Sequence, residues 1–308
     1  MGTTLRVGLW APDRSEGMRA IQAAFDAVRR ADSLLSTWRD DSEIMRLNRA
    51  PAGRAVALPV ELYRLLRRCQ RWSHETGGAF DPGVGALIDA WDLRHRGRVP
   101  SAAELRSARL RTGIERFVFA DRSYSVTKRR TGAWIDTGAF GKGAALAAAG
   151  AALQQHGIAS GFLNFGGQVL ALGADRAADW VVPVAHPSRR LDPARHIRLR
   201  GRSASTSSQS ERHVSPEGRR VGHILDPRTG EPVPAWGSVT VVADDPTRAD
   251  ALSTALFVLG PEAALAWARS RDDVGVLVLE ERESGVVARW NRALTPLLLS
   301  DSTRNRGA

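Results

Sequence analysis

The chain has 308 residues, of which 43% are hydrophobic and 25% are charged, the balance of an ordinary globular protein with a sizeable core. Its single cysteine, Cys69, excludes an intramolecular disulfide and a cysteine-cluster metal site. The formal net charge of +11 favours anionic ligands in general, but the arginines are scattered and no zinc-finger spacing or RNA-binding signature accompanies them, so we expect no nucleic-acid partner.

The predicted elements interleave strands and helices along the chain. In order they are a strand at 4–10, helices at 18–35 and 59–74, a hairpin at 117–120 and 124–128, a helix at 143–155, strands at 161–165, 169–172, 180–184 and 239–243, a helix at 245–259, and a closing hairpin at 274–280 and 286–290. Stretches rich in Pro, Ser and Arg at 185–202 and 212–220 are predicted loops. Interleaved elements with antiparallel pairs indicate a mixed α/β or α+β class.

The domain organisation and compartment follow from the flanks and the loops. Candidate motifs fall on both sides of the two loops, which predicts one functional unit at 1–299, followed by a polar tail at 300–308. Residues 1–13 lack the apolar segment and cleavage site of a signal peptide, and no apolar run has transmembrane length. We therefore expect a cytoplasmic protein with no membrane span, or a periplasmic or membrane-associated one if a leader lies upstream.

A glycine-rich turn holds one of the only two lysines among the 44 basic residues. The turn, residues 136–143, reads DTGAFGKG and contains Lys142. A tight turn of small residues with a lysine allows backbone N–H groups and one compact cation to close on a phosphate. The alternative is an ordinary strand-to-helix turn with a solvated lysine.

The predicted helix at 245–259 carries a candidate metal pair. Asp250 and Thr254 are four residues apart and share one helical face. A carboxylate and a hydroxyl suit a hard divalent cation, Mg²⁺ above all. Asp245 as N-cap and Pro246 as the first helical residue predict where the helix starts. The alternative is a capped amphipathic helix with a solvated Asp–Thr pair.

A loop histidine is the third candidate. His223 begins the segment HILDPRTG, which places Asp226 and Arg228 within a few residues of it. Near neutral pH, a histidine holds or passes the proton of an attacking hydroxyl. A structural loop histidine is the alternative.

Five segments occur together in one order, and as a set they resemble the ApbE family of FAD:protein FMN transferases. They are 36–48 (with STW, DSE and RLN), 77–87 (with GGAFDP), 136–143, 223–230 and 249–256 (ADALSTAL). The resemblance extends from residue 1 to about the strand at 274–280. It implies an ApbE-like single-unit fold, with mixed or antiparallel sheets flanked by helices and a flavin site between the segments.

The resemblance also implies roles for individual residues. In the family, an aspartate and a threonine bind the metal with help from the main chain, which implies Asp250, Thr254 and Gly141 as metal ligands. The family's histidine lies by the flavin diphosphate, which implies His223 as the base, acting with Lys142 and Asp250 as catalytic groups. The residues implied at the flavin nucleotide are Trp38, Asn48, Gly78, Phe80, Asp81, Asp136, Gly138, Lys142, His223, Asp226 and Arg228.

The implied reaction is transfer of FMN from FAD to a threonine or serine hydroxyl of an acceptor flavoprotein, with Mg²⁺ as cofactor, FAD as substrate and AMP released. In the family the acceptor hydroxyl lies in a Gly-Ala-Thr/Ser motif. Neither tripeptide occurs here, so we expect an acceptor in trans and a monomeric or homodimeric enzyme. The alternatives are a Mg²⁺-dependent FAD pyrophosphatase and a non-catalytic flavin-binding protein, with a nucleic-acid module last.

Several positions depart from the family pattern. Trp38 replaces the usual tyrosine that packs on the isoalloxazine ring, although its larger face suits the same stacking; an ordinary core tryptophan is the alternative. Ala139 replaces a glycine of the lysine turn, and Gln168 follows the Gly166-Gly167 pair where an acidic or amide residue is usual. Ser208 replaces a glycine, and a positive φ there would strain the loop.

Overall fold

The computed structural model describes residues 2–173, 179–209, 213–214 and 221–299. These residues group into two compact units. The first unit comprises Arg29–Gly141 and Gln209–Ala235, and the second comprises Gly2–Val28, Lys142–Ser208 and the chain from Trp236 onward. The predicted tail at 300–308 lies outside the described residues, and a single functional unit over 1–299 stays a prediction.

The described helices and strands confirm a mixed α+β protein. The α-helices are α1 (Arg14–Leu35), α2 (Glu43–Arg49), α3 (Val60–Glu75), α4 (Gly85–Ala90), α5 (Ala102–Arg109), α6 (Gly141–Gln155), α7 (Pro246–Leu259) and α8 (Pro261–Ala268). The strands are β1 (Leu5–Trp10), β2 (Ala55–Ala57), β3 (Phe117–Ala120), β4 (Ser125–Lys128), β5 (Ser160–Phe165), β6 (Gln168–Leu172), β7 (Trp180–Ala185), β8 (Pro193–Leu199), β9 (Ser203–Ser208), β10 (His213–Val214), β11 (Val221–Gly222), β12 (Gly237–Ala243), β13 (Gly275–Arg282) and β14 (Gly285–Trp290). Short 3-10 helices cover Ile114–Arg116 and Arg292–Leu297.

The second unit is built on a seven-stranded antiparallel sheet with the order β1-β5-β6-β9-β12-β13-β14. Strand β12 is buried along its whole length, because α7 packs on it and the hairpin of β7 and β8 contributes to an apolar cluster with Val242. Burial on both faces removes the alternation of polar and apolar residues that marks a half-exposed strand. This accounts for the continuous apolar run in β12.

Strand β9 presents a row of hydroxyl groups to α7. Its sequence is SASTSS, and it pairs with β6 on one side and β12 on the other. The side chains of Ser205 and Ser207 hydrogen-bond to residues of α7, whereas Ala204 belongs to the apolar cluster of the β7–β8 hairpin. Successive residues of a strand face opposite sides of a sheet, so the two sets are separated by the pleat. The polar, glycine-free sequence of β9 carries no apolar alternation, and the strand was not predicted.

The start of α7 follows the prediction. The Asp245 side chain accepts a hydrogen bond from the Thr247 amide at 2.9 Å, and Pro246 lies in the first turn. Most of the helix is buried, and the buried residues include Asp250. A solvated Asp–Thr pair is therefore wrong for Asp250. The apolar residues Leu252, Ala255 and Leu256 are buried as well.

The first unit contains a three-stranded antiparallel sheet, β2-β4-β3, and the helices α2 to α5. Helix α3 ends at the predicted place, where Gly77 and Gly78 take positive φ. Helices α4 and α5 pack on each other, and an apolar cluster includes Leu87, Trp91 and Ala108. The strands β10 and β11 form a separate two-stranded ladder.

The two predicted loops, at 185–202 and 212–220, differ in outcome. The stretch 185–202 was predicted as a loop, but it contains β8, which pairs with β7 over Trp180–Leu199. That prediction was wrong because only the end of β8 alternates, with Ile197 and Leu199 buried on either side of an exposed arginine. Most of the predicted loop at 212–220 lies outside the described residues. In the described ranges, no helix is both long enough and apolar enough to cross a membrane.

Candidate functional site

The centre of the second unit's candidate site is the Asp250 carboxylate. Only 2% of this residue is exposed. Its Oδ2 accepts a hydrogen bond from the backbone N–H of Gly143 at 2.9 Å, while its Oδ1 has two longer contacts at 3.4 Å, to Lys142 Nζ and to Ser205 Oγ. One carboxylate oxygen is thus held at normal distance, and the other is held loosely.

Helix α6 supplies the groups that face Asp250. Gly143 lies in the first turn of α6, where backbone N–H groups have no partner within the helix. A Cβ on Gly143 would lie 2.3 Å from the Pro246 carbonyl oxygen, so only glycine allows this close approach to the start of α7. The positive end of the α6 dipole and the Lys142 ammonium thus both lie beside the Asp250 carboxylate. Lys142 and Gly143, the last two residues of the predicted lysine turn, therefore lie against the predicted metal aspartate.

The donor set at Asp250 fits a hard cation. A normal charge-assisted hydrogen bond is about 2.7–2.9 Å, so the 3.4 Å contacts of Oδ1 leave its lone pairs available to a stronger partner. Oxygen ligands in small number are what Mg²⁺ takes from proteins, with water and phosphate completing its shell. Among the described residues there is no cluster of three His, Cys, Asp or Glu side chains, so a site here depends on Asp250 with hydroxyl, carbonyl or phosphate oxygens.

Hydroxyl groups connect Asp250 to Thr254. Ser253 Oγ donates to the Asp250 carbonyl at 2.9 Å and lies 2.9 Å from Ser207 Oγ, which in turn is 3.4 Å from Thr254 Oγ1. Ser205 and Ser253 were not predicted as site residues. The run of serines in β9 was the available signal. The predicted metal ligand Gly141 belongs to the first unit, where its amide donates to the Thr137 carbonyl at 2.7 Å.

Gln168, also in the second unit, hydrogen-bonds to the start of α7. Its Nε2 donates to the Pro246 carbonyl at 2.8 Å, and the residue is buried. Its Oε1 is buried without a hydrogen-bond partner among the described atoms. The amide at this position therefore positions the start of α7 through the main chain.

In the first unit, the exposed side chain of Trp38 contacts the guanidinium group of Arg94. The residue is 66% exposed, which excludes an ordinary core tryptophan. The guanidinium carbon of Arg94 lies 5.0 Å from the Trp38 ring centroid and 4.4 Å from that of Trp134. Arg94 also donates to the Thr37 carbonyl at 3.0 Å and contacts Asp136 Oδ1 at 3.4 Å. Arg94 was not predicted as a site residue, because its partners are distant along the chain.

Asn48 and Asp136 organise the backbone next to Trp38. The Asn48 amide makes both hydrogen bonds that Ile135 offers, accepting from its N–H at 2.8 Å and donating to its carbonyl at 2.9 Å. Asp136 Oδ2 accepts from the Gly138 amide at 2.8 Å. Lys128, the second lysine, is buried and donates to the Asn48 carbonyl at 2.7 Å; burial lowers the pKa of its ammonium. Contacts of Asn48, Asp136 or Gly138 with a flavin stay predictions.

The GGAFDP segment is anchored by its own side chains. Phe80 is fully buried and packs edge-to-face on Phe140. Asp81 Oδ1 accepts hydrogen bonds from the amides of Gly83 at 2.7 Å and Ile114 at 2.8 Å. Burial raises the pKa of the Asp81 carboxyl to about 6, although these backbone hydrogen bonds oppose the shift. Gly78 has φ of 77° and faces the Arg228 side chain.

The HILDPRTG segment forms a turn closed by an ion pair. Arg228 donates to both carboxylate oxygens of Asp226, at 2.9 and 2.8 Å, and this hydrogen bonding raises the pKa of the guanidinium. The Gly230 amide donates to the Asp226 carbonyl at 2.7 Å. His223 precedes the turn and is half-buried. The catalytic role of His223 and the nucleotide contacts of Asp226 and Arg228 stay predictions.

The departures at Ala139 and Ser208 are accommodated without backbone strain. In the described part of the chain, the residues other than glycine that take positive φ are Asp92 and Tyr124. Ser208 is the last residue of β9 and pairs with Ser238 of β12. The backbone strain that a positive φ at Ser208 would cause is therefore absent, because Ser208 lies in a strand and extended backbone suits any residue.

Comparison with known proteins places this arrangement in a family. The profile described as "ApbE family" matches residues 1–278. The chain is 30% identical over 294 residues to an FAD:protein FMN transferase of Klebsiella pneumoniae, covering 92% of this chain and 83% of the relative. It is 31% identical over 297 residues to an FAD:protein FMN transferase of Treponema pallidum, covering 91% and 82%.

Solved structures agree with the sequence comparison. The flavin transferase ApbE from Vibrio cholerae superposes with a TM-score of 0.83 at 27% identity, covering 97% of this chain and 96% of that one. The ApbE protein from Thermotoga maritima superposes with a TM-score of 0.87 at 28% identity, covering 97% of both chains. By its sequence and by its fold, this chain belongs to the ApbE family.

Proposed function

We propose that this chain is an FAD:protein FMN transferase. The observation that carries the proposal is the pairing of Lys142 and Asp250, with the Gly143 amide, at the start of α6. A cation, a buried carboxylate and a helix N-terminus at one place suit a metal-bound diphosphate. The chain covers more than four-fifths of the length of these two relatives that bear this name.

The covalent step exchanges one phosphoester partner for another. The hydroxyl oxygen of an acceptor threonine or serine attacks the phosphorus of the FMN half of FAD and forms a phosphodiester bond. The bond from that phosphorus to the bridging oxygen of the diphosphate breaks, and AMP leaves with the bridging oxygen. His223 is assigned as the base that accepts the hydroxyl proton. Such phosphoryl transfer depends on positioning and on stabilising charge more than on covalent help from the protein.

Asp250 and Thr254 are the described residues of the second unit that would hold Mg²⁺, and Gly141 is the predicted main-chain ligand. Bound there, the cation would neutralise the charge of the diphosphate oxygens. Lys142 has a side chain that is 35% exposed, and its ammonium makes a long contact of 3.4 Å to Asp250 Oδ1. We assign it to bind a phosphate oxygen as a compact point charge.

The flavin half of the substrate is assigned to the first unit. Trp38 offers an exposed indole face of the kind on which a planar isoalloxazine stacks. Asp136, Gly138, Asp226 and Arg228 are proposed to line the nucleotide pocket, and Asn48, Gly78, Phe80 and Asp81 support its walls. The acceptor is a flavoprotein with a Gly-Ala-Thr/Ser motif supplied in trans.

Mass spectrometry of a reaction tests this proposal. Purified full-length chain is incubated with FAD, Mg²⁺ and a peptide that contains the acceptor motif, and a matched reaction contains EDTA. We expect the mass of the peptide to increase by that of FMN less one water, and AMP to be released in equal amount. Neither product should form in the EDTA reaction. Release of FMN and AMP without a modified peptide would indicate a pyrophosphatase instead of a transferase, provided that the same result is obtained with an intact acceptor flavoprotein. Absence of FAD turnover would reduce the chain to a flavin-binding protein.

A further inference from the structure

Arg94 joins three separate parts of the first unit through one guanidinium group. Its guanidinium carbon lies over the rings of Trp38 and Trp134, and its N–H groups reach the Thr37 carbonyl and the Asp136 carboxylate. Arginine suits this position because its planar fork stacks on aromatic faces and donates in several directions at once. The side chain is only 21% exposed, which strengthens such contacts relative to those in open solvent.

The base of the stack is rigid. Trp134 Nε1 donates to Asp89 Oδ2 at 2.7 Å, which fixes the ring at its polar edge. A Cβ on Gly85 would lie 2.1 Å from Trp134 Cδ2, so the glycine at the start of α4 makes the space that the ring fills. Trp134 is therefore a fixed platform, and Arg94 transmits that fixed position to Trp38.

The loop that carries Arg94 is closed by its own hydrogen bonds. The Arg98 amide donates to the Trp91 carbonyl at 2.9 Å, and the Gly97 amide donates to the Asp92 carbonyl at 3.0 Å. Asp92 takes a φ of 49°, and its carboxylate contacts His95 Nδ1 at 2.7 Å. A short closed loop of this kind limits the positions that Arg94 can take.

We propose that Arg94 is a positioning residue that holds Trp38 in a stacking-ready orientation for the isoalloxazine ring of FAD. This inference rests on the proposed function, because it assigns the exposed face of Trp38 to the flavin. An exposed tryptophan left free would lose rotational freedom when a ligand stacks on it, and that loss weakens binding. Arg94 restricts both the ring of Trp38 and the carbonyl of the preceding Thr37 before the ligand arrives. The contribution that Arg94 makes through Trp38 acts on the flavin half of FAD.

Binding constants for two ligands test this role. Calorimetry on the full chain measures the dissociation constants of FAD and of ADP, which lacks the isoalloxazine ring. We expect Arg94→Met to weaken FAD binding about fivefold and to leave ADP binding within about twofold of the unsubstituted protein. Arg96→Met removes the same charge from an exposed position of the same loop and should change neither constant. Equal weakening of FAD and ADP by Arg94→Met would overturn the proposal.

A double-mutant cycle separates positioning from a direct ligand contact. With Trp38→Ala as background, Arg94→Met should change the FAD constant less than about twofold, because the ring through which Arg94 acts is gone. The same fivefold loss in both backgrounds would overturn the role assigned to Arg94. Melting temperatures verify folding, and Arg94→Lys and Arg94→Gln replace Arg94→Met if that variant does not fold.

The outcomes also separate this inference from the proposed function. If the protein binds FAD but never modifies an acceptor, the transferase proposal is overturned. The dissociation constants of FAD and ADP would still decide the role of Arg94. A protein that transfers FMN, with Arg94→Met binding FAD as tightly as the unsubstituted protein, would overturn this inference alone. A protein that binds no FAD would overturn both.

Discussion

The Gly143 amide donates a 2.9 Å hydrogen bond to the Asp250 carboxylate, across 107 residues of sequence. Gly143 lies in the first turn of α6 and Asp250 lies in α7, so the bond joins the starts of two helices at the candidate metal aspartate. This backbone donor at a helix N-terminus contacts one carboxylate oxygen, whereas the other oxygen has only the two 3.4 Å contacts to Lys142 and Ser205. The second oxygen stays available for a cation.

Asp250→Asn should abolish metal-dependent turnover. The amide keeps the size of the side chain and an oxygen for the Gly143 amide, but it removes the charge that a divalent cation needs. We expect FMN transfer to fall by about 100-fold or more, with a small change in melting temperature. Asp244→Asn is the matched control, because Asp244 precedes α7 and its side chain is 77% exposed. Unchanged transfer by Asp250→Asn would remove Asp250 from the metal site.

Gly143→Ala should damage the site through the backbone. The added Cβ would lie 2.3 Å from the Pro246 carbonyl oxygen, so α6 and α7 must move apart and the bond to Asp250 must lengthen. Ala144→Gly is the control, because it changes the same turn of α6 without adding an atom. Gly157→Ala is unsuitable as a control, because Gly157 has positive φ. We expect Gly143→Ala to lower the melting temperature and the transfer rate together, and thermal unfolding with a transfer assay measures both. Full activity at unchanged stability would contradict the close packing.

Lys142→Ala should weaken FAD capture. A charge-assisted hydrogen bond to phosphate contributes about 1.5–3 kcal/mol, which corresponds to at least about tenfold in affinity. Lys142→Arg keeps the charge but replaces a compact ammonium with a broad fork, and we expect it to recover only part of the loss. Arg269→Ala controls for the lost unit of net charge, because Arg269 is exposed at the end of α8. Calorimetric titration with FAD is the measurement; an unchanged constant would restore the solvated-lysine interpretation.

His223→Gln should slow transfer more than it weakens FAD binding. Loss of a general base costs about 10²–10⁴ in rate, whereas a glutamine of similar size retains polar contacts with the nucleotide. Single-turnover transfer rates and FAD titrations separate the two effects. His156→Gln is the control, because His156 is exposed at the end of α6 and hydrogen-bonds to the Ala152 carbonyl. Equal losses in rate and in affinity would assign His223 to binding instead of proton transfer.

Asp81→Asn should change the pH dependence of stability. The folded state raises the pKa of Asp81 from 3.8 to about 6, so the folded protein binds the proton more tightly than the unfolded chain. The stabilising effect of that proton is complete below the unfolded pKa and is lost as pH rises through about 6. Asparagine removes this dependence while keeping an acceptor for the Gly83 and Ile114 amides.

The difference in unfolding free energy between Asp81→Asn and the unsubstituted protein is the quantity to measure. From pH 4 to pH 7 it should move in favour of Asp81→Asn by on the order of 2–3 kcal/mol. Denaturant unfolding at several pH values provides it. A difference that stays constant across this interval would mean that the carboxyl keeps an ordinary pKa in the folded protein.

Local signals predicted the elements that the structure confirms. The caps of α7 at Asp245 and Pro246, the end of α3 at Gly77 and the hairpin of β13 and β14 each depend on residues close in sequence. Strand β9 was missed for the opposite reason. Its neighbours β6 and β12, and the helix α7 that its serines contact, lie in other parts of the chain, so its sequence shows no alternation. Strand β8 directly follows its partner β7, and it was missed because only its last three residues alternate between buried and exposed.

The sequence by itself determined the chemical inventory of the candidate site: a lysine among arginines, an aspartate and a threonine on one helical face, a histidine before a closed turn, and the family that these motifs indicate. Only the tertiary structure decided how these groups are used. It buried Asp250 against Gly143 and Lys142, 107 and 108 residues away, and set Arg94 over Trp38. Burial, ion pairing and ring stacking depend on distances in space, and periodicity along the chain reports only on neighbours.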